Sequence, residues 1–225
     1  MSTRTETAAC NPNCAAPRHA RDAGRTLPFA TVRTLAASAH IGDLVFIRVP
    51  ARPFREVADA TGSWTNHVGI VVDTSGAEPV VAESTFPWAK LTPLSRFVAR
   101  SEGSRVALAR LATPPTADEQ RRVHAAAERR IGTLYDTGFN LRSRRQFCSR
   151  YVREVLGDAT GVEVGDVETF ATLLERRPGA ELGFWRLWYF GRIPWDRETV
   201  TPASVIRSDK LTLEFDGIVF YPGRA

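Results

Sequence analysis

The chain of 225 residues is poor in lysine, cysteine and methionine, and it holds no long apolar run. Each lack excludes something. Three cysteines cannot all pair within one chain, and a disulfide-stapled scaffold would use more of them. No apolar stretch approaches the roughly 20 residues a membrane-crossing helix needs. Residues 1–25 contain no apolar core of the kind a secretory signal carries. The expectation is a reduced, cytoplasmic protein. No glycine-rich phosphate loop and no complete metal motif is present, so no cofactor and no metal are expected. Lys90 and Lys210 are the only lysines, so the net charge of +5 comes from arginine. Those arginines are scattered and often adjoin acids, as in Arg55-Glu56 and Asp118-Glu-Gln-Arg121. A nucleic-acid partner would call for a clustered basic patch, and none is expected here.

What remains is ordinary for a globular domain: 43% hydrophobic and 24% charged residues. A chain this long buries roughly 70% of its unfolded surface without crosslinks. Residues 1–26 are small and polar and predict a flexible tail. Cys10, Cys14 and His19 sit within it, too few ligands for a zinc site. Residues 27–225 read as one domain with an aromatic insertion at about 178–200.

Within that domain the pattern predicts strands at 43–49, 67–73, 80–83 and 106–111, the first rich in β-branched and aromatic residues and the last with Val106 and Leu108 alternating against small or polar neighbours. Pro53 opens a short helix that Gly62 ends. Thr116 and Glu119 form a capping box for a helix reaching Ile131, with Gly132 as its stop. Tyr151, Val152, Val155 and Leu156 follow Cys148 at helical spacing, and Gly157 closes that helix. Further helices are predicted over 167–177 and from Thr201-Pro202 to Ser208. Leu211, Leu213 and Phe215 alternate as a last strand. Strands clustered before helices indicate an α+β fold, an antiparallel sheet packed on helices.

Three side chains carry possible chemistry. His67 opens a strand, Glu83 ends the next one, and Cys148 starts a helix. Helix N-termini carry a partial positive charge, which favours a thiolate. A neighbouring imidazolium adds to this, and together they lower a thiol pKa from about 8.5 to roughly 3.5–7.5. A carboxylate on the far ring nitrogen fixes the histidine tautomer. Cys148 is the one cysteine beyond the tail, which sets it apart from an ordinary buried hydrophobe. His40 and His124 fit less well, the first lying before its strand and the second off the apolar helix face.

Ile41-Gly-Asp43, Asn66-His-Val-Gly-Ile70, Glu83, Tyr135-Asp136 and Phe147-Cys-Ser149 stand in the order found in one known family. On these residues the chain resembles the circularly permuted papain-like amidases, the YiiX/YebB-like branch of the NlpC-like cysteine hydrolases. The resemblance spans about residues 41–216. It implies a permuted papain-like fold with Cys148 as nucleophile, His67 as general base and later acid, and Glu83 as the orienting carboxylate. It further implies Tyr135, Ser149 and Trp64 as candidates for substrate binding or oxyanion support, and a structural role for Asp43. Arg150 stands where the family usually has an acid, a change expected to alter the charge at the site entrance.

The expected activity is cleavage of an amide or ester through an acyl-enzyme. Candidate substrates are a peptide, a cell-wall-type amide or an acyl lipid. Two alternatives stand beside it. One is a lecithin–retinol-type acyltransferase, whose Asn-Cys-Glu-His signature is absent. The other is a catalytically idle module that holds a lipid or small ligand. Aromatics crowd between Phe184 and Trp195, interleaved with Arg186 and Arg192. They predict either a helix or lid packed on the core, or an apolar rim that meets a membrane surface, an acyl chain or a partner.

Overall fold

A computed structural model describes residues 27–220. The tail and its Cys10, Cys14 and His19 lie outside the described residues.

In chain order, β1 (Phe29–Thr31) leads into α1 (Val32–Ser38), followed by β2 (Leu44–Ile47), α2 (Arg52–Thr61), β3 (His67–Asp73) and β4 (Val80–Ser84). Then come β5 (Ala89–Pro93), α3 (Leu94–Val98), β6 (Arg105–Leu111), α4 (Ala117–Glu128) and α5 (Cys148–Thr160). The remainder is β7 (Glu168–Thr169), α6 (Phe170–Arg176), α7 (Gly183–Trp188), β8 (Glu198–Thr199), α8 (Pro202–Ile206) and β9 (Leu211–Phe220). The main sheet has seven strands in the order β1-β9-β6-β2-β3-β4-β5, and β7 pairs with β8 separately. Every pairing of these strands is antiparallel except that of the edge strand β1 with β9, so the sheet packed on helices is antiparallel as expected through its centre.

The central strands read as unbroken apolar runs because both faces of the sheet are covered. Leu44, Phe46, Val68 and Ile70 pack under α4 and α5, against Val123, Ala126, Tyr151, Val152 and Val155. Val45, Ile47, Val71 and Val81 face the other way, against Leu35 of α1 and Leu94, Phe97 and Val98 of α3. The period-2 alternation of side chains thus builds two cores from one set of strands.

Several boundaries differ from the sequence reading. The capping box at Thr116 and Glu119 is present. However, α4 stops at Glu128, and Gly132, with φ +82°, donates its N–H to Ala89 O in the following loop. Helix α5 passes through Gly157 and ends at Gly161, whose φ of +75° makes it the left-handed cap. The predicted helix over 167–177 is a two-residue strand followed by α6, because Thr169 caps at Thr172 N. Strand β9 continues five residues past Phe215, pairing with β6 and then with β1. The edge strand β5, with a proline at its end, and the short helix α3 carry no clear sequence signal.

Candidate active site

His67 begins β3 and Glu83 lies near the end of β4, both completely buried on the α3 side of the sheet. The His67 Nε2 and the Glu83 Oε2 are 2.7 Å apart. Glu83 holds two further bonds: Thr92 Oγ1 donates to Oε1 at 2.7 Å, and Arg100 Nη2 donates to Oε2 at 2.7 Å. The ring of Phe97 stacks on the imidazole at 5.6 Å, and the edge of Phe54 meets it at 5.8 Å. Aromatic walls on two sides leave the ring little freedom to turn.

Cys148 is the first residue of α5. Phe147 precedes it in extended conformation and offers no side-chain cap. The first backbone N–H groups of a helix have no acceptor within it, so this end presents donors. Its register is pinned from the next residue, as the Ser149 hydroxyl donates to Val200 O at 2.8 Å. The Cys148 sulfur is close enough to the imidazole and to the Tyr135 hydroxyl to shift the ionisation of both. Neither His67 Nδ1 nor the Tyr135 hydroxyl has a hydrogen-bond partner of normal geometry. The thiol, the imidazole and the phenol are therefore gathered but not yet locked together, a geometry common in catalytic sites before substrate binds.

Burial pushes the His67 pKa down, but the sulfur and Glu83 outweigh it and raise it to about 9. Burial pushes Glu83 up, and the opposing pull of His67 and Arg100 brings it down to about 2. Desolvation, with the sulfur nearby, holds the Tyr135 hydroxyl well above the ordinary tyrosine range. Around neutral pH the site thus carries an imidazolium, a carboxylate and a neutral phenol that can donate.

Cys148 borders a cleft of about 800 Å³, part of it open to solvent. The lining is almost wholly apolar. Phe54 and Val57 come from α2, Phe170 and Leu174 from α6, and Trp185 and Tyr189 from the aromatic stretch. That stretch is therefore divided. Trp185, Tyr189 and Ile193 wall the cleft, while Leu187 and Phe190 are 78% and 94% exposed.

Other predicted residues fall elsewhere. Trp64 does not line the cleft, since its ring sits beneath the Arg105 guanidinium at 4.4 Å. Ser149 borders the cleft, but its hydroxyl is committed to Val200. Arg150 does not reach the entrance: it donates to Ser143 O, Arg145 O and Glu154 and so ties a loop to α5. Asp43 is buried, accepting from Arg110 Nε and Nη2 and from His40 N, a structural arrangement. Sequence reasoning passed over Thr92, Phe97 and Arg100, which meet Glu83 and His67 only through strand pairing and the α3 turn.

Comparison with known proteins follows the same outline. The model of the family described as permuted papain-like amidase enzyme, YaeF/YiiX, C92 matches residues 38–213. The uncharacterised protein YiiX of Escherichia coli K12 is 26% identical over 182 residues, covering 81% of this chain and 89% of that one. A crystal structure described as metalloprotein yiiX from Escherichia coli O157:H7 superimposes with a TM-score of 0.70 at 24% identity, over 80% of this chain and 98% of that one. Among the described residues here, no group of three or more His, Cys, Asp or Glu side chains could hold a metal ion. The family match spans most of the chain, and this chain belongs to the YaeF/YiiX family of permuted papain-like amidases, C92.

Proposed function

We propose that the protein is a cysteine hydrolase that cleaves an amide or ester bond at Cys148. The observation that carries this reading is the buried His67–Glu83 pair of 2.7 Å, its other ring nitrogen unpartnered and Cys148 bordering an open cleft beside it.

In this reading the Cys148 thiolate attacks the carbonyl carbon, forming a C–S bond and moving the π electrons onto oxygen. The Cys148 backbone N–H and the Tyr135 hydroxyl are the donors nearest that oxyanion. The imidazolium of His67 gives its proton to the leaving nitrogen or oxygen as the C–N or C–O bond breaks, leaving a thioester. Water then adds to the thioester while His67 takes its proton. Collapse expels the thiolate and restores the ion pair. Glu83 keeps the imidazole oriented and its charge compensated throughout.

The apolar lining favours a substrate whose acyl part is itself apolar, such as an acyl lipid or a peptide with a large hydrophobic side chain, over a polar cell-wall amide. A series of acyl esters and anilides of increasing chain length tests this. Turnover should rise with chain length in the wild type and vanish in Cys148→Ala, together with labelling of residue 148 by iodoacetamide. Turnover that persists in Cys148→Ala overturns the mechanism, and equal rates across the series overturn the substrate class.

A further inference from the structure

The carboxylate behind the histidine has a cationic partner that the catalytic order of the family does not call for. Arg100 follows α3 by two residues, and its Nη2 donates to the same Glu83 oxygen that meets His67 Nε2, at the same 2.7 Å. Its guanidinium lies 5.0 Å from the centre of the Phe97 ring, whose plane stacks on the imidazole. Phe97 thus touches both the imidazole and the guanidinium that share the Glu83 oxygen. The Glu83 side chain has no solvent exposure, whereas that of Arg100 is 32% exposed. The arginine thus lies between the carboxylate and solvent and is not among the residues that line the cleft.

Resting on the hydrolase reading, we infer that Arg100 is a positioning residue: it fixes Glu83 as an anion and shares that anion's charge, so that the imidazole is held without being overcharged. The groups that face this carboxylate are His67 from β3, Thr92 from β5 and Arg100 itself, with Cys148 and Tyr135 beyond the imidazole. Thr92 is neutral, so Arg100 supplies the balancing charge. Removing that charge leaves Glu83 pulling on His67 alone, which raises the imidazolium pKa. The upper limb of the alkylation profile, set by loss of the imidazolium proton, then moves to higher pH.

The test needs no substrate. The rate of Cys148 carboxamidomethylation in the full chain is followed against pH by mass spectrometry of the Cys148 peptide, so that Cys10 and Cys14 do not interfere. Arg100→Gln should move the upper inflection, that of His67, upward by about half a pH unit or more, and Arg100→Lys should return it towards the wild type. Arg100→Met, which keeps an apolar stem against Phe97, carries the same test if Arg100→Gln does not fold. A lowered rate with unmoved inflections would make Arg100 a packing support only and overturn the inference while leaving the Cys148–His67 pair standing. A wild-type Cys148 that reacts as an ordinary thiol, indifferent to His67→Ala, would instead overturn the hydrolase reading, and this inference with it.

Discussion

Tyr135 is the residue whose cost to the fold and use to the site are easiest to separate. Its ring is 5% exposed and packs against Phe54 and Phe139, yet its hydroxyl has no partner. A buried hydroxyl without a bond costs stability, so its removal is expected to leave the fold as stable or slightly more so. If the phenol donates to the oxyanion, Tyr135→Phe lowers kcat by about 10²–10³, the usual loss for one such donor. The melting temperature should not fall. Wild-type turnover in Tyr135→Phe would remove the phenol from the mechanism. At this scale the sequence was informative where residue types are scarce. Cys148 is the one cysteine outside the tail, and His67 one of three histidines there. Arg100 was hidden for the opposite reason: arginine is everywhere in this chain, and only the 2.7 Å contact with a residue seventeen positions away singles it out.

Among the elements, β3 does more than present His67. Its Gly69 allows α3 to close over the imidazole, because a Cβ there would meet Val81 at 2.5 Å and Phe97 at 2.9 Å. Gly69→Ala therefore forces Phe97 outward or displaces β4. Overpacking of this kind costs about 1–3 kcal/mol, and each kcal/mol lowers the melting temperature of a domain this size by about 2–4 °C. Because Phe97 also braces His67, the same variant should slow Cys148 alkylation relative to the wild type. Calorimetry and the alkylation rate measure the two effects separately, and a variant unchanged in both would show that Phe97 does not brace the ring. Strands β2, β3, β4 and β6 were legible because burial on both faces writes short segments with few polar residues. Helix α5 was legible from its heptad-like apolar face, although its true stop is Gly161 rather than Gly157. Strand β5 was not: Ala89-Lys-Leu-Thr-Pro93 has little strand propensity and owes its conformation to pairing with β4.

For the whole molecule, the fold class was readable because the central strands β2, β3, β4 and β6 precede the two longest helices α4 and α5, but the cleft was not. It is assembled from α2, α6, the aromatic stretch and the start of α5, segments far apart in the chain whose approach no local pattern encodes. The aromatic stretch shows the limit most clearly. Its composition predicts either a packed lid or an exposed rim, and the structure divides it between the two. Trp185, Tyr189 and Ile193 turn in to line the cleft, while Leu187 and Phe190 turn out beside the exposed Arg186 and Arg192. Phe190 has φ +50°, a left-handed conformation that costs a non-glycine residue roughly 1–2 kcal/mol, and it presents its ring almost wholly to water. Both features are unfavourable in solution and are offset if the ring enters an apolar phase. Basic side chains beside two protruding apolar ones suit an anionic bilayer, where burial of a leucine or phenylalanine returns about 1.5–3 kcal/mol. The protein is therefore expected to sediment with phosphatidylglycerol-containing vesicles more than with phosphatidylcholine vesicles, and less as salt is raised. The double variant Leu187→Ser/Phe190→Ser should lose about tenfold or more in vesicle affinity while its Cys148 alkylation profile stays that of the wild type. Equal sedimentation of the variant and the wild type would show that this tip does not meet the lipid, and the cleft would then take its substrate from solution.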